Sequence, residues 1–337
     1  MSTVNDPVRG REIRLASRPQ GEPTAENFAL ENVDVGPPRE GELLVRNALS
    51  SVEPYMRGRM NDTRSYVAPF NLGEALSGAA TGTVVASTVP SYPVGATVLH
   101  DRGWRDYALV PAKSARLIDT NVVPAETYLG ALGGTGFTAW VGLRIIAEAK
   151  AGETLFVSAA AGAVGSMVVQ LAKRMGLRVI GSASSPAKAE AVRKLGADGA
   201  FDYHEGATKA LRTLAPDGID IYFDNVGGEQ LEAAIFATRD FARIVLCGAV
   251  SQYNAAAPAP GPRNLAIAIG RRLRLQGFIV IDHLARFPEF LTEVTPLVAA
   301  GEIKAPTTFV DGLENAPGAL MDILRPNATL GKVLVRV

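Results

Sequence analysis

The 337-residue sequence is 47% hydrophobic and carries 34 basic against 34 acidic residues, for a formal net charge of zero. That is apolar material for two domains with full cores, and the neutral balance gives no electrostatic reason to expect a nucleic-acid or anionic-membrane partner. One cysteine, Cys247, excludes an intramolecular disulfide and a cysteine-based metal cluster. A polar start with no signal-peptide core, and no run long enough to span a bilayer, make a cytoplasmic protein the expectation.

Up to about Val123, short strand-like runs alternate with turns. Glu42–Asn47 follows a Pro-Pro-Arg-Glu-Gly turn, Gly82–Ala86 and Ala96–Leu99 flank Pro90, Pro93 and Gly95, and Arg105–Val110 is a further run. Short apolar runs bounded by Gly and Pro predict a mostly β domain. Near Ala125 the texture changes. Thr154–Ser158 is apolar without alternation, as a strand buried on both faces would be. A helix is predicted over Ala163–Met175, a strand over Arg178–Ser182, a helix over Pro186–Leu195 and a strand over Gly199–Asp202. Strands over Ile219–Phe223, Ala242–Leu246 and Leu273–Gly277 complete a set of six, which with helical crossovers specifies an α/β fold with a doubly wound parallel sheet. From Thr307 the tail returns to strand–helix–strand and closes on Lys332–Val337. That last strand needs a sheet to pair with, so the tail is expected to rejoin the first domain. The predicted division is 1–124 with 305–337 for the β domain, and 125–304 for the α/β domain.

After the first strand of the predicted sheet comes Ala160-Ala161-Gly162-Ala163-Val164-Gly165. Against the dinucleotide fingerprint G-x-G-x-x-G, Ala160 replaces the first glycine, while the second and third are present. Gly162 lets backbone approach a pyrophosphate, Gly165 lets helix and strand pack closely, and the helix N-terminus offers unpaired N–H groups to phosphate. An NAD site wants Asp or Glu about 20 residues on, for the ribose 2′-hydroxyl. Here the second strand runs into Gly181-Ser182-Ala183-Ser184-Ser185 with no acid, and Lys188 follows. Hydroxyls and an ammonium would bind a 2′-phosphate that a carboxylate would repel, so NADP(H) is favoured.

Zinc catalysis needs at least three ligands such as Cys, His or a carboxylate. His100, His204 and His283 are scattered, none lies three or four residues from another or from Cys247, and each is expected on the surface or in a loop. Cys247 reads as a small core residue closing a buried strand. No G-x-S-x-G turn follows a strand, which argues against a serine hydrolase. Without a metal Lewis acid, reduction of a polarised alkene stays feasible, because hydride addition gives an enolate that hydrogen bonds can stabilise.

Ser51–Met60, Gly134–Trp140, Asp224–Gly228, Cys247–Asn254 and Arg272–Val280 are the segments on which this chain becomes recognisable. Over nearly its whole length it resembles the zinc-independent medium-chain dehydrogenases/reductases. More narrowly, it is similar to the leukotriene B4 12-hydroxydehydrogenase, prostaglandin reductase and alkenal double-bond reductase group, which includes curcumin reductases. The resemblance implies a GroES-like β domain beside a Rossmann domain, NADPH/NADP+ as cofactor, and a homodimer formed across the cofactor domains. The segment Phe278–Phe290, with His283, Phe287 and Phe290, could contribute to that dimer or form an ordinary amphipathic helix.

The resemblance also implies roles for single positions. Gly162, Ala163, Val164 and Gly165 would wrap the pyrophosphate, and Lys188 with Tyr203 would face the 2′-phosphate. Asn225 and the loop of Cys247, Gly248, Ala249, Ser251 and Tyr253 would line the route to the nicotinamide. Phe278, Ile279 and Val280 would hold the carboxamide through backbone groups. Tyr253 matches a tyrosine beside the nicotinamide ribose and the substrate carbonyl, and Tyr55 a pocket tyrosine near the substrate. The group usually carries Asn two residues before the C-terminal Gly-Lys pair; here the pair is Gly331-Lys332, the position is Thr329, and Asn327 is out of register.

The expected reaction is hydride delivery from NADPH to the β-carbon of an enone or enal. The Tyr253 hydroxyl, protonated at neutral pH, would then donate to the developing oxyanion or only orient the ribose. Arg57 and Arg59 could bind an anionic substrate tail or form structural ion pairs, and His100 could approach the cleft. A quinone reductase, and an NADPH-binding protein without catalysis, stand as alternatives.

Overall fold

Two strands open the chain, and their charge had hidden them. β1 (Val8–Leu15) and β2 (Phe28–Val35) pair antiparallel. Arg9, Arg11 and Arg14 break the apolar pattern of β1, yet Ile13 and Leu15 are fully buried. The computed structural model describes residues 6–257, 259–325 and 329–337. Next come β3 (Glu42–Val52), α1 (Tyr55–Arg59), β4 (Ala80–Ser87), β5 (Thr97–His100), β6 (Tyr107–Pro111) and β7 (Arg116–Leu117). The expected strands overlap β3 to β6. β3 runs on past Asn47, with an irregularity at Asn47/Leu49 in its pairing to β4.

The α/β part follows as α2 (Gly134–Val141), β8 (Thr154–Val157), α3 (Ala163–Arg174), β9 (Arg178–Ala183), α4 (Pro186–Lys194), β10 (Gly199–Asp202) and α5 (Ala207–Leu214). It continues through β11 (Ile219–Asp224), α6 (Gly228–Ala237), β12 (Thr238–Leu246), α7 (Leu265–Gly270), β13 (Arg274–Gly277) and α8 (Phe287–Ala299). The six strands are parallel, in the order β10-β9-β8-β11-β12-β13. That is the doubly wound order, whose direction reverses between β8 and β11. Phe156, Ile180, Tyr222 and Ile244 fill a core with Leu211 and Ile235 of the helices. Every residue of β8 is buried, which explains its unbroken apolar sequence. The segment Phe278–Phe290 is not one helix: a 3-10 stretch over Val280–Arg286 precedes α8, which begins at Phe287.

The tail contributes β14 (Thr307–Asp311), α9 (Ala316–Ile323) and β15 (Lys332–Arg336). β15 pairs with β3 (Val333↔Val52, Leu334↔Ser51), so the last strand returns to the first sheet. The chain divides into Met1–Leu129 with Thr307–Arg325 and Val333–Val337, and Gly130–Pro306 with Pro326–Lys332. In the first unit β3 is the spine, pairing with β4, β6 and β15. Leu43, Val45, Val84 and Val98 pack one core, and Ile13, Met56, Phe70, Trp104 and Leu320 another.

One histidine departs from expectation. His100 lies on β5 and is 4% exposed, neither on the surface nor in a loop. Its Nδ1 accepts the Arg102 N–H at 3.0 Å, so the ring proton sits on Nε2. Burial, then the charges of Arg105 and Arg102, pull its pKa from 6.5 down to about 4. The unfolded chain binds this proton below 6.5 and the folded chain does not until about 4. The stabilisation is therefore present above 6.5 and is lost as pH falls through that window. Between pH 7 and pH 5 we expect a loss of roughly 2 kcal/mol. Denaturant melts of the protein and of His100→Gln check this; an equal loss in the variant would show that other groups carry it.

Candidate functional site

All the loops that the sequence marked in the α/β unit leave the carboxyl ends of its strands. The first follows β8. Gly162 is the N-cap of α3 and Ser166 N–H donates to its carbonyl at 2.9 Å. The first N–H groups of α3 have no partner within the helix, so they are available to an anion. A Cβ on Gly162 would meet only the Ala159 carbonyl oxygen, at 3.2 Å, whereas one on Gly165 would lie 2.3 Å from that oxygen and 2.7 Å from Ala160 Cα. Gly162 thus leaves an open cradle beside Ala163 and Val164, and Gly165 permits helix–strand contact. Gly331 closes the cradle from the tail: its N–H donates to the Ala161 carbonyl at 2.8 Å and it bridges to Gly162. Thr329 lies two residues before it, and Asn327 lies outside the described residues.

At the end of β9, Ser185 caps α4 by accepting the Lys188 N–H, and Lys188 Nζ donates to Ser184 Oγ at 3.2 Å. Partial burial lowers the Lys188 pKa from its ordinary value. No carboxylate ends this strand. Ser182 is buried and donates to Gln230 Oε1. Tyr203 follows the end of β10, whose last residue, Asp202, is in register with Ala183 of β9. Its ring lies 4.2 Å from that of His204, and burial with the Asp202 charge raises its pKa. The donor set and the open glycine cradle fit a dinucleotide bearing a 2′-phosphate.

The loops after β11 and β12 are tied to each other. Asn225 donates from its N–H to Ser158 Oγ (2.9 Å) and from Nδ2 to the Ser158 carbonyl (2.8 Å). Cys247 and Gly248 donate their N–H groups to the Asp224 carbonyl. Ser251 Oγ donates to the Val226 carbonyl at 2.5 Å. Tyr253 is half-buried, and its Oη accepts the Ala249 N–H at 3.4 Å. Burial, reinforced by Cys247 and Asp224, raises the Tyr253 pKa above the usual phenol range, so its hydroxyl keeps its proton at neutral pH. Cys247 lies one residue past β12, and burial with the Asp224 charge pushes its thiol up to about 12, too high for a thiolate nucleophile. Phe278, Ile279 and Val280 are half-buried just beyond β13, Val280 opening the 3-10 stretch.

Ser158 and Asp224 were missed as candidates in their own right. Asp224 is 1% exposed, and its Oδ1 accepts from Tyr222 Oη, Val226 N–H and Gly227 N–H at 2.7–2.9 Å. Its signal was an acid closing an apolar strand.

Tyr55, Arg57 and Arg59 belong to the other unit, on α1. Burial, then the Glu53 charge, raises the Tyr55 pKa, and Arg59 opposes this by charge and hydrogen bonding. Arg57 is buried and donates to Asn61 Oδ1 and the Gly21 carbonyl. Arg59 donates to the Ala68 and Ser77 carbonyls and lies 3.9 Å over the Phe70 ring. Both arginines pin loops through neutral oxygens rather than ion pairs. His204 is exposed with Nδ1 2.7 Å from the Asp202 carboxylate, and His283 sits in the 3-10 stretch. Among the described residues no group of three or more His, Cys, Asp or Glu could hold a metal ion, and no helix is long and apolar enough to cross a membrane.

Comparison with known proteins matches residues 11–118 to the N-terminal domain of oxidoreductase family and residues 163–296 to the zinc-binding dehydrogenase family. The NADPH-dependent curcumin reductase of Escherichia coli (strain K12) is 41% identical over 98% of this chain and 97% of its own length. The 2-alkenal reductase (NADP(+)-dependent) of Nicotiana tabacum is 37% identical over 98% of each. The crystal structure of CurA in complex with NADPH from Vibrio vulnificus superposes with a TM-score of 0.91 at 41% identity, covering 97% of this chain and 99% of that one. The second family is named for zinc binding, but among the described residues no such cluster of ligands occurs; the chain belongs to the zinc-independent medium-chain dehydrogenases/reductases, in the group of the prostaglandin, 2-alkenal and curcumin reductases.

Proposed function

We propose that this chain is a zinc-independent reductase that uses NADPH to saturate the carbon–carbon double bond of α,β-unsaturated aldehydes and ketones, acting in the cytoplasm as a homodimer. The observation that carries the reading is the Tyr253 hydroxyl, kept protonated among loops at the carboxyl ends of a doubly wound sheet. The relatives named as a curcumin reductase and a 2-alkenal reductase support the reaction class.

Bound NADPH supplies the hydride that goes to the β-carbon. Gly162, Ala163, Val164 and Gly165 with the α3 N-terminus hold the pyrophosphate, while Lys188, Ser184 and Tyr203 hold the 2′-phosphate. Asn225 and the loop from Cys247 through Gly248, Ala249 and Ser251 orient the nicotinamide end, and Phe278–Val280 hold its carboxamide. As the alkene electrons move toward the carbonyl oxygen, Tyr253 Oη donates a hydrogen bond there. Tyr55 lines the substrate pocket. With the hydride on the β-carbon, the α-carbon takes its proton from Tyr253 Oη or from water, which gives the saturated carbonyl compound.

The test follows loss of NADPH absorbance with enals, enones and quinones, with NADH beside each and the product identified. Saturated carbonyl product from enones, with NADPH strongly preferred, is the expected result. Turnover confined to quinones, or tight NADPH binding without turnover on any acceptor, would overturn the reading.

The homodimer draws support from the β13 edge of the sheet. β13 pairs only with β12 among the described strands, and Phe241 (66% exposed) and Ile269 (81%) present apolar side chains on flanking segments. An unpaired strand edge with apolar neighbours needs cover. Sedimentation at micromolar concentration should give twice the 35.5 kDa chain mass; a monomer at that concentration would sink the idea. The single cysteine suits a reducing compartment, and cell fractionation checks the placement.

A further inference from the structure

We propose that Asp224 is a positioning residue for the reduction: its buried carboxylate shapes the turn leaving β11 and ties it to β8, and that turn, through main-chain carbonyls, holds the loop after β12 and with it the place of the Tyr253 hydroxyl. The inference rests on the function proposed above, and its geometry lies wholly within the α/β unit.

The bonds run in three directions. Toward β8, Ser158 Oγ donates to Asp224 Oδ1 at 3.3 Å, and the same oxygen of Ser158 accepts the Asn225 N–H. Within its own turn, Oδ1 accepts the Val226 and Gly227 N–H groups at 2.9 and 2.8 Å. Gly227 (φ +74) and Gly228 (φ +54) take the left-handed conformations that let the turn fold back on the carboxylate. Toward β12, the main-chain carbonyl of Asp224 accepts the N–H groups of Cys247 (2.9 Å) and Gly248 (3.0 Å). The turn then carries the Tyr253 loop: Asn225 and Val226 offer their carbonyls to the N–H groups of Val250 and Ser251.

A carboxylate suits this place because every group facing Oδ1 is a donor, Tyr222 Oη included. An ionised oxygen accepts such bonds about twice as strongly as a neutral amide oxygen. Asparagine has the same shape, but its NH2 group brings two hydrogens into a site without acceptors on Oδ1's side if the amide is turned, and weaker bonds if it is not. The charge of Asp224 also acts on the Cys247 thiol and the Tyr253 hydroxyl, favouring the protonated form of each.

The experiment compares the full-length protein with Asp224→Asn and Tyr222→Phe. In Asp224→Asn, kcat for an enone should fall about a hundredfold, because a shift of about 1 Å at the reacting groups has that effect. KM for NADPH should stay within about threefold, since the Gly162–Gly165 cradle and Lys188 are untouched. Tyr222→Phe removes one donor and leaves the turn, so it should melt earlier yet keep kcat within about threefold. In the NADPH-bound protein, amide hydrogen exchange over 247–253 should be at least about tenfold faster in Asp224→Asn. A kcat within about threefold of the parent, or unchanged exchange in that loop, overturns the proposal. If the parent protein reduces no enone, the functional reading falls, and the exchange measurement, which needs only NADPH, still decides the role of Asp224. If Asp224→Asn does not fold, Ser158→Ala severs the β8 arm alone and is read by the same exchange criterion.

Discussion

Gly165→Val should abolish NADPH binding and lower stability by roughly 3 kcal/mol, the upper range for overpacking a close backbone contact. The reason is local. A Cβ at Gly165 would stand 2.3 Å from the Ala159 carbonyl oxygen and 2.7 Å from Ala160 Cα, both backbone atoms that cannot turn aside. α3 must move away from β8, and with it go the N–H groups that face the pyrophosphate. Gly162→Ala is the control. Its Cβ meets a single atom at 3.2 Å, so stability should hold within about 1 kcal/mol while the methyl occupies the cradle and weakens NADPH. Denaturant melts and NADPH fluorescence titration measure both. Parent-like binding by a folded Gly165→Val protein would show that the cofactor does not lie on this helix.

Lys188→Glu should reverse the cofactor preference. Losing the ammonium's contact with a 2′-phosphate, and setting a carboxylate against it, together cost on the order of 3 kcal/mol, roughly a hundredfold in kcat/KM for NADPH. NADH, which has no phosphate there, should change by less than about threefold. Lys188 is well placed for this because Ser184 Oγ already receives its Nζ at the end of β9, with Ser185 capping the helix that carries it. Equal losses with both cofactors would mean that Lys188 supports the fold instead, and the 2′-phosphate would have to be met by other groups.

Much of the α/β unit was legible because its central strands β8, β9 and β11 are buried on both faces. β8 reads directly from an unbroken apolar run, and the glycines of the cofactor loop sit where fingerprint spacing puts them. β12 begins earlier than expected, at Thr238, because Arg239 and Asp240 interrupt its apolar signal while still lying in the strand. β1 was invisible for the same reason, its arginines engaging Asp106, Glu314 and Glu12 at the surface. Arg57 and Arg59 shared their motif with Tyr55, and spacing alone cannot tell a guanidinium bound to a carbonyl from one waiting for a ligand. His100 shows the converse: a strand end next to Asp101 and Arg102 reads as exposed, yet the ring turns inward. Asp224 stood inside a marked segment without a role of its own, because its ties to Ser158 and Cys247 reach distant segments that no local pattern brings together.

The pairing of Val52 with Val333 sets an order of events for a chain leaving the ribosome. The six strands of the α/β unit are contiguous enough to begin pairing while the C-terminus is still being made. The first unit cannot close its sheet then, because β3 must wait for β15, which is synthesised only after the whole α/β unit. Until that strand arrives one side of β3 stays without its final partner, an aggregation-prone state. That exposure therefore lasts until the whole α/β unit has been made, in a unit most of whose strands precede it.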